Sequence, residues 1–149
     1  GVTERGRQRD SPLLQALKET EVLTGEGVRV HLRVHRLQSL ERPLIDLLSE
    51  RKHAERDLAY KLLFRAALLS PPSATLFADK HVECLLSHHE AVRQSAIAYS
   101  AEMTLASAAA APRVLLVLFR LARMGNTSAT AELLRATQSG LDFHCMQSK

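Results

Sequence analysis

Residues 85–101 read LLSHHEAVRQSAIAYSA, and residues 47–63 read LLSERKHAERDLAYKLL. Each stretch opens on a Leu-Leu-Ser helix end, crosses a polar linker and enters an Arg-x-x-Ala helix. Arg56 and Arg93 stand 37 positions apart, and so do Ala59 and Ala96. A fixed period of about 20 to 50 residues carried on helical units is the signature of stacked repeats, each burying its apolar stripe against the next. The expected fold is all-α.

Outward from these two stretches, helix signals recur. Pro43 stands at a favoured first helical position and opens a short helix over 43–50 with Leu44, Leu47 and Leu48 on one side. A helix over 53–69 aligns Ala59, Leu62, Leu63, Ala66 and Leu69 and ends at Pro71-Pro72. Ser73 caps a helix over 74–87 whose expected inward residues are Leu76, Val82, Leu85 and Leu86. A continuous helix over 90–106 carries Val92, Ala96, Tyr99 and Met103 at helical spacing. Pro112 starts a very apolar helix over 113–124, which Gly125 ends in a left-handed C-cap. Its partner, 128–138, presents Ala131, Leu134 and Thr137 or Gln138 and stops at Gly140.

Toward the N-terminus, Ser11-Pro12 and Gly25 frame a helix over about 12–24. VRVHLRV at 28–34 alternates as a strand would, yet Val30, Val34 and Leu37 also fall at helical spacing and no partner strand is visible, so helix is favoured. Residues 1–11 and 141–149 are expected to be flexible, flanking a helical repeat domain over 12–140 with units at about 43–70, 74–107 and 112–139.

The second unit resembles a HEAT repeat, one of the armadillo/HEAT group of α-solenoids, with Leu85 and Leu86 before a polar turn and Val92-Arg93, then Ala96, in the second helix. The first unit keeps Leu47, Leu48, Arg56 and Ala59 but has Glu55 where the second has Val92, and neither turn carries the aspartate often found before Val-Arg. The spacing is slightly below the roughly 40–47 residues of that group, while the Trp pattern of the 34-residue tetratricopeptide unit is absent because the chain has no Trp. The resemblance implies a short right-handed α-solenoid of antiparallel helix pairs that acts as an interaction scaffold.

Composition agrees with a globular helical domain: 46% hydrophobic, 24% charged and only 4% aromatic, so Leu, Ala and Val must build the core. The net charge of +4 is unevenly spread. Residues 1–42 carry +2, residues 43–111 carry −1 and residues 112–149 carry +3, so the repeat region is almost neutral. A nucleic-acid binder more typically gathers its cations on one surface with aromatics for stacking. Cys84 and Cys145 are too few for a disulfide framework and are read as free thiols in a reducing compartment. The chain starts with Gly, shows no secretory apolar run and has no apolar segment near the roughly 20 residues of a membrane helix, so it is read as a soluble, intracellular fragment, cytoplasmic or nuclear.

Few constellations could carry chemistry. His81, Cys84 and His88 lie at i, i+3 and i+7 with His144-Cys145 in the tail, but ligands two turns apart on a straight helix are roughly 10 Å from each other, too far for one zinc ion. The expectation is that Cys84 packs in the core and the histidines sit at the exposed helix end. His31 and His35 form an i, i+4 pair with nothing to complete a site. His89-Glu90-Ala91-Val92-Arg93 has Arg93 where a zinc-protease helix needs its second histidine. With no phosphate-binding glycine loop and no nucleophile elbow, an enzyme is not expected, and neither cofactor nor metal is assigned. Asn126-Thr127-Ser128 satisfies the glycosylation sequon but reads as a turn and N-cap. Arg113, Arg120 and Arg123 form a basic stripe that either contacts acidic protein or phosphate, or solubilises the outer side of its helix.

The expected function is a non-enzymatic protein–protein interaction scaffold, a fragment of a longer repeat protein that docks a partner helix or extended peptide on its second-helix face. Candidate contact residues are Arg56, Tyr60, Lys61 and Phe64 on one helix and Arg93, Gln94 and Ile97 on the next, beside Asp57 and Glu102. Tyr60 and Phe64, an i, i+4 aromatic pair, read as a hot spot. Two bland readings stand beside this: Phe64 packs on the preceding unit, and Arg56 and Arg93 tie their own units together. The competing class is a nucleic-acid or phosphate-backbone binder using the basic ends, as in a chromosome-associated assembly; no membrane partner is expected.

Overall fold

The computed structural model describes residues 41–69 and 73–148, and of these the side chains of residues 41–68 and 74–138. The expected helices over 12–24 and 28–40 and the expected flexible residues 1–11 lie outside the described residues. Among the described residues every regular element is helical: α1 over 41–47, α2 His53–Leu69, α3 Ser73–Leu85, α4 Glu90–Ala98, α5 Ser100–Ala106, α6 Ala111–Arg123 and α7 Thr127–Ser148.

The helices stack in two layers. α3 packs against α6, while α2 packs against α4 and α5, which in turn meet α7; α3–α4 and α6–α7 are hairpin pairs that join the layers, and α2–α3 and α5–α6 join one pair to the next. Leu44, Leu47 and Leu48 bring α1 into the same continuous core, and the Cys84 thiol donates to the Leu48 carbonyl at 3.6 Å. This is the layering that stacked helical pairs produce. α2 packs on α3, α4 and α5 and is covered over most of its surface, from Leu58, Ala59 and Tyr60 through Leu62, Leu63, Ala66 and Ala67. With neither Gly nor Pro in seventeen residues and Glu55 in its first turn, it has the composition to run straight through.

The repeated arginine closes each hairpin. Arg56 Nη1 donates to the Glu50 carbonyl at 2.7 Å, six residues back, and Arg93 Nη1 donates to the Ser87 carbonyl at 2.8 Å, again six residues back. Arg56 goes further: it also reaches the Arg51 carbonyl at 2.7 Å, and its Nε donates to Ser95 Oγ of α4 at 3.0 Å. It is therefore a tie within unit one and between units one and two. The third pair lacks this arginine and closes its turn with backbone instead. Gly125 adopts φ +95°, its N–H donates to the Ala122 carbonyl, and the Asn126 N–H donates to the Leu121 carbonyl, both at 3.0 Å. The Asn126 side chain then caps α7 by accepting from the Ala129 N–H at 2.9 Å. The left-handed glycine and the capping role of the sequon asparagine are as the sequence predicts.

Several expectations need correction. The helix over 90–106 is broken at Tyr99. Ser100 Oγ donates to the Ala96 carbonyl at 2.9 Å, a back-bond that bends helices, and the Ala101 N–H donates to Glu132 Oε2 of α7 at 2.9 Å. Gly140 does not end α7, which runs on to Ser148, so residues 141–148 are helical; an interior glycine costs only about 1 kcal/mol against alanine. Leu76 and Leu86, expected inward, are exposed, and α3 instead buries Ala74, Phe77, Ala78, His81 and Cys84. On α7 the inward residues are Ala129, Glu132 and Ala136; Ala131, Leu134, Thr137 and Gln138 face water. In both helices alanines share the inward face with a few large or polar side chains, Phe77, His81 and Leu85 on α3 and Glu132 on α7, so the buried face is not the leucine-rich one that the pattern suggests. His81 is not at an exposed end but fully buried.

Two stability predictions follow from the turns. Arg56→Met leaves two turn carbonyls and Ser95 without their donor and should cost about 3 kcal/mol, against about 1 kcal/mol for Arg93→Met, which loses one half-buried bond. Gly125→Ala should cost about 1–2 kcal/mol, a pure backbone effect because a methyl group there meets no atom within 4 Å. Urea denaturation of the three variants measures these differences.

Candidate docking groove

Lys61, Phe64, Arg65 and Leu68 fall at i, i+3, i+4 and i+7 on α2, Lys61 and Leu68 exposed and Phe64 and Arg65 half-buried. Across from it, Glu102, Leu105 and Ala106 line α5, and together with Ala67 the two strips enclose a groove of about 510 Å³. Ala67 and Ala106 leave the space open because neither side chain extends into it. Leu68 and Leu105 stand on the surface at 84% and 55% exposure, an apolar pair left in water. The polar members are Lys61, which pairs with Asp57 at 3.1 Å, Arg65 and Glu102. Glu102 Oε1 accepts from Arg135 at 3.1 Å, but its buried Oε2 has no hydrogen-bond donor among the described residues.

An aromatic layer supports the groove from beneath. The Tyr60 ring stacks on Tyr99 with centroids 4.4 Å apart, and Phe64 meets Phe77 edge-on at 4.9 Å. Offset and edge contacts of this kind are each worth about 0.5–1.5 kcal/mol beyond area burial. The Tyr99 hydroxyl donates to the Asp57 carboxylate. Burial by itself would raise the Asp57 carboxyl, but the Tyr99 hydrogen bond and Lys61 hold it below its ordinary range. Burial, with the same bond, raises the Tyr99 phenol well above its own.

Deeper in, a polar relay is fully satisfied. Ser100 Oγ gives its proton to the Ala96 carbonyl, so it accepts from His81 Nε2 at 3.0 Å, and the other ring nitrogen, Nδ1, accepts from the Tyr60 hydroxyl at 2.9 Å. Geometry thus fixes the tautomer with the proton on Nε2. Burial lowers the His81 pKa from 6.5 to about 3 and raises the Cys84 thiol to about 11. Both imidazole nitrogens are committed to protein partners, so neither is offered to a metal. At the far end, Glu132 joins the Ala101 amide to Arg135 at 2.8 Å, burial raising its carboxyl while the two donors oppose the rise.

The residues singled out in the sequence separate in three directions. Arg56, Tyr60 and Ile97, expected on the surface, are 3%, 0% and 1% exposed and are unable to touch a partner in the folded chain. α2 touches α3, α4 and α5, and α4 touches α2, α3, α5 and α7, so positions off the main leucine stripe are buried as well. Arg93 and Gln94 are half-buried, and Arg93 lies in a separate cleft of about 560 Å³ between the second and third hairpin turns, beside Leu86 and Met124. Lys61 and Phe64 come together in the groove. Leu68 and Leu105, its most exposed apolar members, were not singled out; the i, i+3, i+4, i+7 spacing from Lys61 to Leu68 was the available signal.

A model of the Integrator complex subunit 1 R4 domain matches residues 5–107. The chain belongs to this family. No curated protein matches the chain. The R4 match contains α1 to α5 whole, and hence every residue of the groove. It agrees with the HEAT resemblance at the coarser level of a helical-repeat domain that is part of a larger complex subunit. No helix among the described residues of this R4-family chain is long and apolar enough to cross a membrane.

The relay makes stability depend on pH. An unfolded histidine titrates near 6.5 and the folded His81 near 3, so between these values only the unfolded chain binds the proton. Stability contributed by neutral His81 is fully present above pH 6.5 and falls as pH drops toward 3, by about 1.4 kcal/mol for each unit inside that window. His81→Gln, which keeps one donor and one acceptor, should give a shallower loss between pH 6.5 and 5 in denaturation measurements; an unchanged slope would contradict the assigned neutral state.

Proposed function

We propose that this chain is a non-catalytic structural segment of an Integrator complex subunit 1, working inside the multi-protein assembly in the nucleus, and that it holds a neighbouring protein through the groove between α2 and α5. Membership of the R4-domain family supports the assembly half of this reading. The carrying observation for the surface half is the exposed pair Leu68 and Leu105 flanking a groove of about 510 Å³. Two large apolar side chains left in water over an alanine floor favour a partner that brings an apolar side chain of its own. Helix-in-groove docking has this form, with an anchor every three or four residues.

Against the phosphate-backbone reading, the groove contains both signs of charge, Lys61 and Arg65 facing Glu102. Nucleic-acid contact would favour an unbroken basic lining. The chemistry-bearing side chains support the non-catalytic reading: His81 is sealed in its relay, and the buried Cys84 thiol, with its raised pKa, remains protonated at neutral pH.

Affinity purification of the tagged chain from nuclear extract, followed by quantitative mass spectrometry, tests both halves. Other Integrator subunits should co-purify, and Leu68→Glu/Leu105→Glu should deplete at least one of them by about 10-fold or more, with the thermal midpoint unchanged because both side chains are exposed. Absence of Integrator subunits from the parent sample removes the assembly reading; an identical set from the variant removes the groove.

A further inference from the structure

The outward side of α6 carries Arg113, Leu116, Phe119, Arg120 and Arg123, while Val114, Val117 and Leu118 fill the core behind it. Leu116 and Phe119 are each 49% exposed. No Asp or Glu occurs anywhere in α6. Arg113 is neutralised by Asp79 of α3 at 2.9 Å, but Arg120 and Arg123 form no ion pair among the described residues, and Arg123 lies 5.9 Å from the centre of the Phe119 ring. Two cations in the last turn suit the helix dipole. The dipole gives no reason for the large apolar side chains beside them to stay in water.

We propose that this face of α6 docks an acidic amphipathic helix of another protein, whose apolar side chains cover Leu116 and Phe119 while its carboxylates engage Arg120 and Arg123. Charge complementarity selects the occupant. Guanidinium forks match carboxylates in a bidentate way, and covering the site with an apolar partner strengthens pairs that would be worth little in water. A nucleic-acid backbone would use the arginines but leave Leu116 bare, and the Asp79 carboxylate beside Arg113 would repel it. The surface lies on α6, outside the α2–α5 groove, so the two readings stand or fall separately.

Fluorescence anisotropy on the full 149-residue chain tests this with three probes: a helical peptide of about 18 residues with a leucine stripe flanked by glutamates, the same peptide with every glutamate replaced by lysine, and a DNA duplex of about 20 base pairs. The glutamate peptide should bind at least about 10-fold more tightly than the lysine peptide. Arg120→Glu/Arg123→Glu should invert that preference, and Leu116→Ala/Phe119→Ala should weaken the glutamate peptide by about 10-fold, each variant being measured well below its own thermal midpoint, which reversed charge at the helix end and lost half-buried apolar area lower somewhat. The proposal is overturned by equal binding of the two peptides, by no binding of the glutamate peptide, by a preference that survives charge reversal, or by a duplex that binds more tightly than either peptide.

Discussion

The guanidinium of Arg56 is a charge held indoors, and the register of the stack depends on it. A buried cation needs several acceptors at once, because desolvation without them costs more than the contacts nearby can offset. Arg56 finds them in three places: the Glu50 and Arg51 carbonyls of the first turn and the Ser95 hydroxyl of α4. Sliding α2 by one turn against α4 would strand the charge. Apolar packing opposes such a slip only through side-chain size, since Leu62 and Leu63 are followed one turn later by Ala66 and Ala67. The arginine supplies the uniqueness that leucine and alanine lack.

The same logic operates in the aromatic layer. Tyr60, His81 and Ser100 pass one directional chain of hydrogen bonds from α2 through α3 to α5, ending on the Ala96 carbonyl. Each member has one role that its neighbour fixes, so the three helices have a single satisfied arrangement. Phe64 belongs to this rigid layer and also to the groove above it. A docking surface built on such a floor loses little freedom on binding.

How much of this was legible depends on how local each signal is. The bounds of α2 and the turn at Gly125 follow from neighbouring residues, and both were readable, as was the repetition that announces helical pairs. The break at Tyr99 was not, because its causes include Glu132, thirty-one residues beyond the amide it caps. Nor was the burial of Tyr60 and Ile97, since a helix with three or more helical neighbours is covered on sides that periodicity assigns to water. The glycine at 140 misled for the opposite reason: a helix-stop residue carries only a weak preference, and flanking helix formers outweigh it. Lys61 is exposed and Phe64 half-buried at the edge of the groove, yet the groove needed α5 as well, and α5 exists as a separate element only because of the break.

That break also moves the boundary between mechanical units away from the loops. α5 follows α4 in the chain, but its first free amide is held by a carboxylate of α7, so it travels with the third pair rather than the second. The family match ends at residue 107, before that carboxylate arrives. The second wall of the groove is thus anchored from beyond the matched stretch, by a side chain that the third pair supplies.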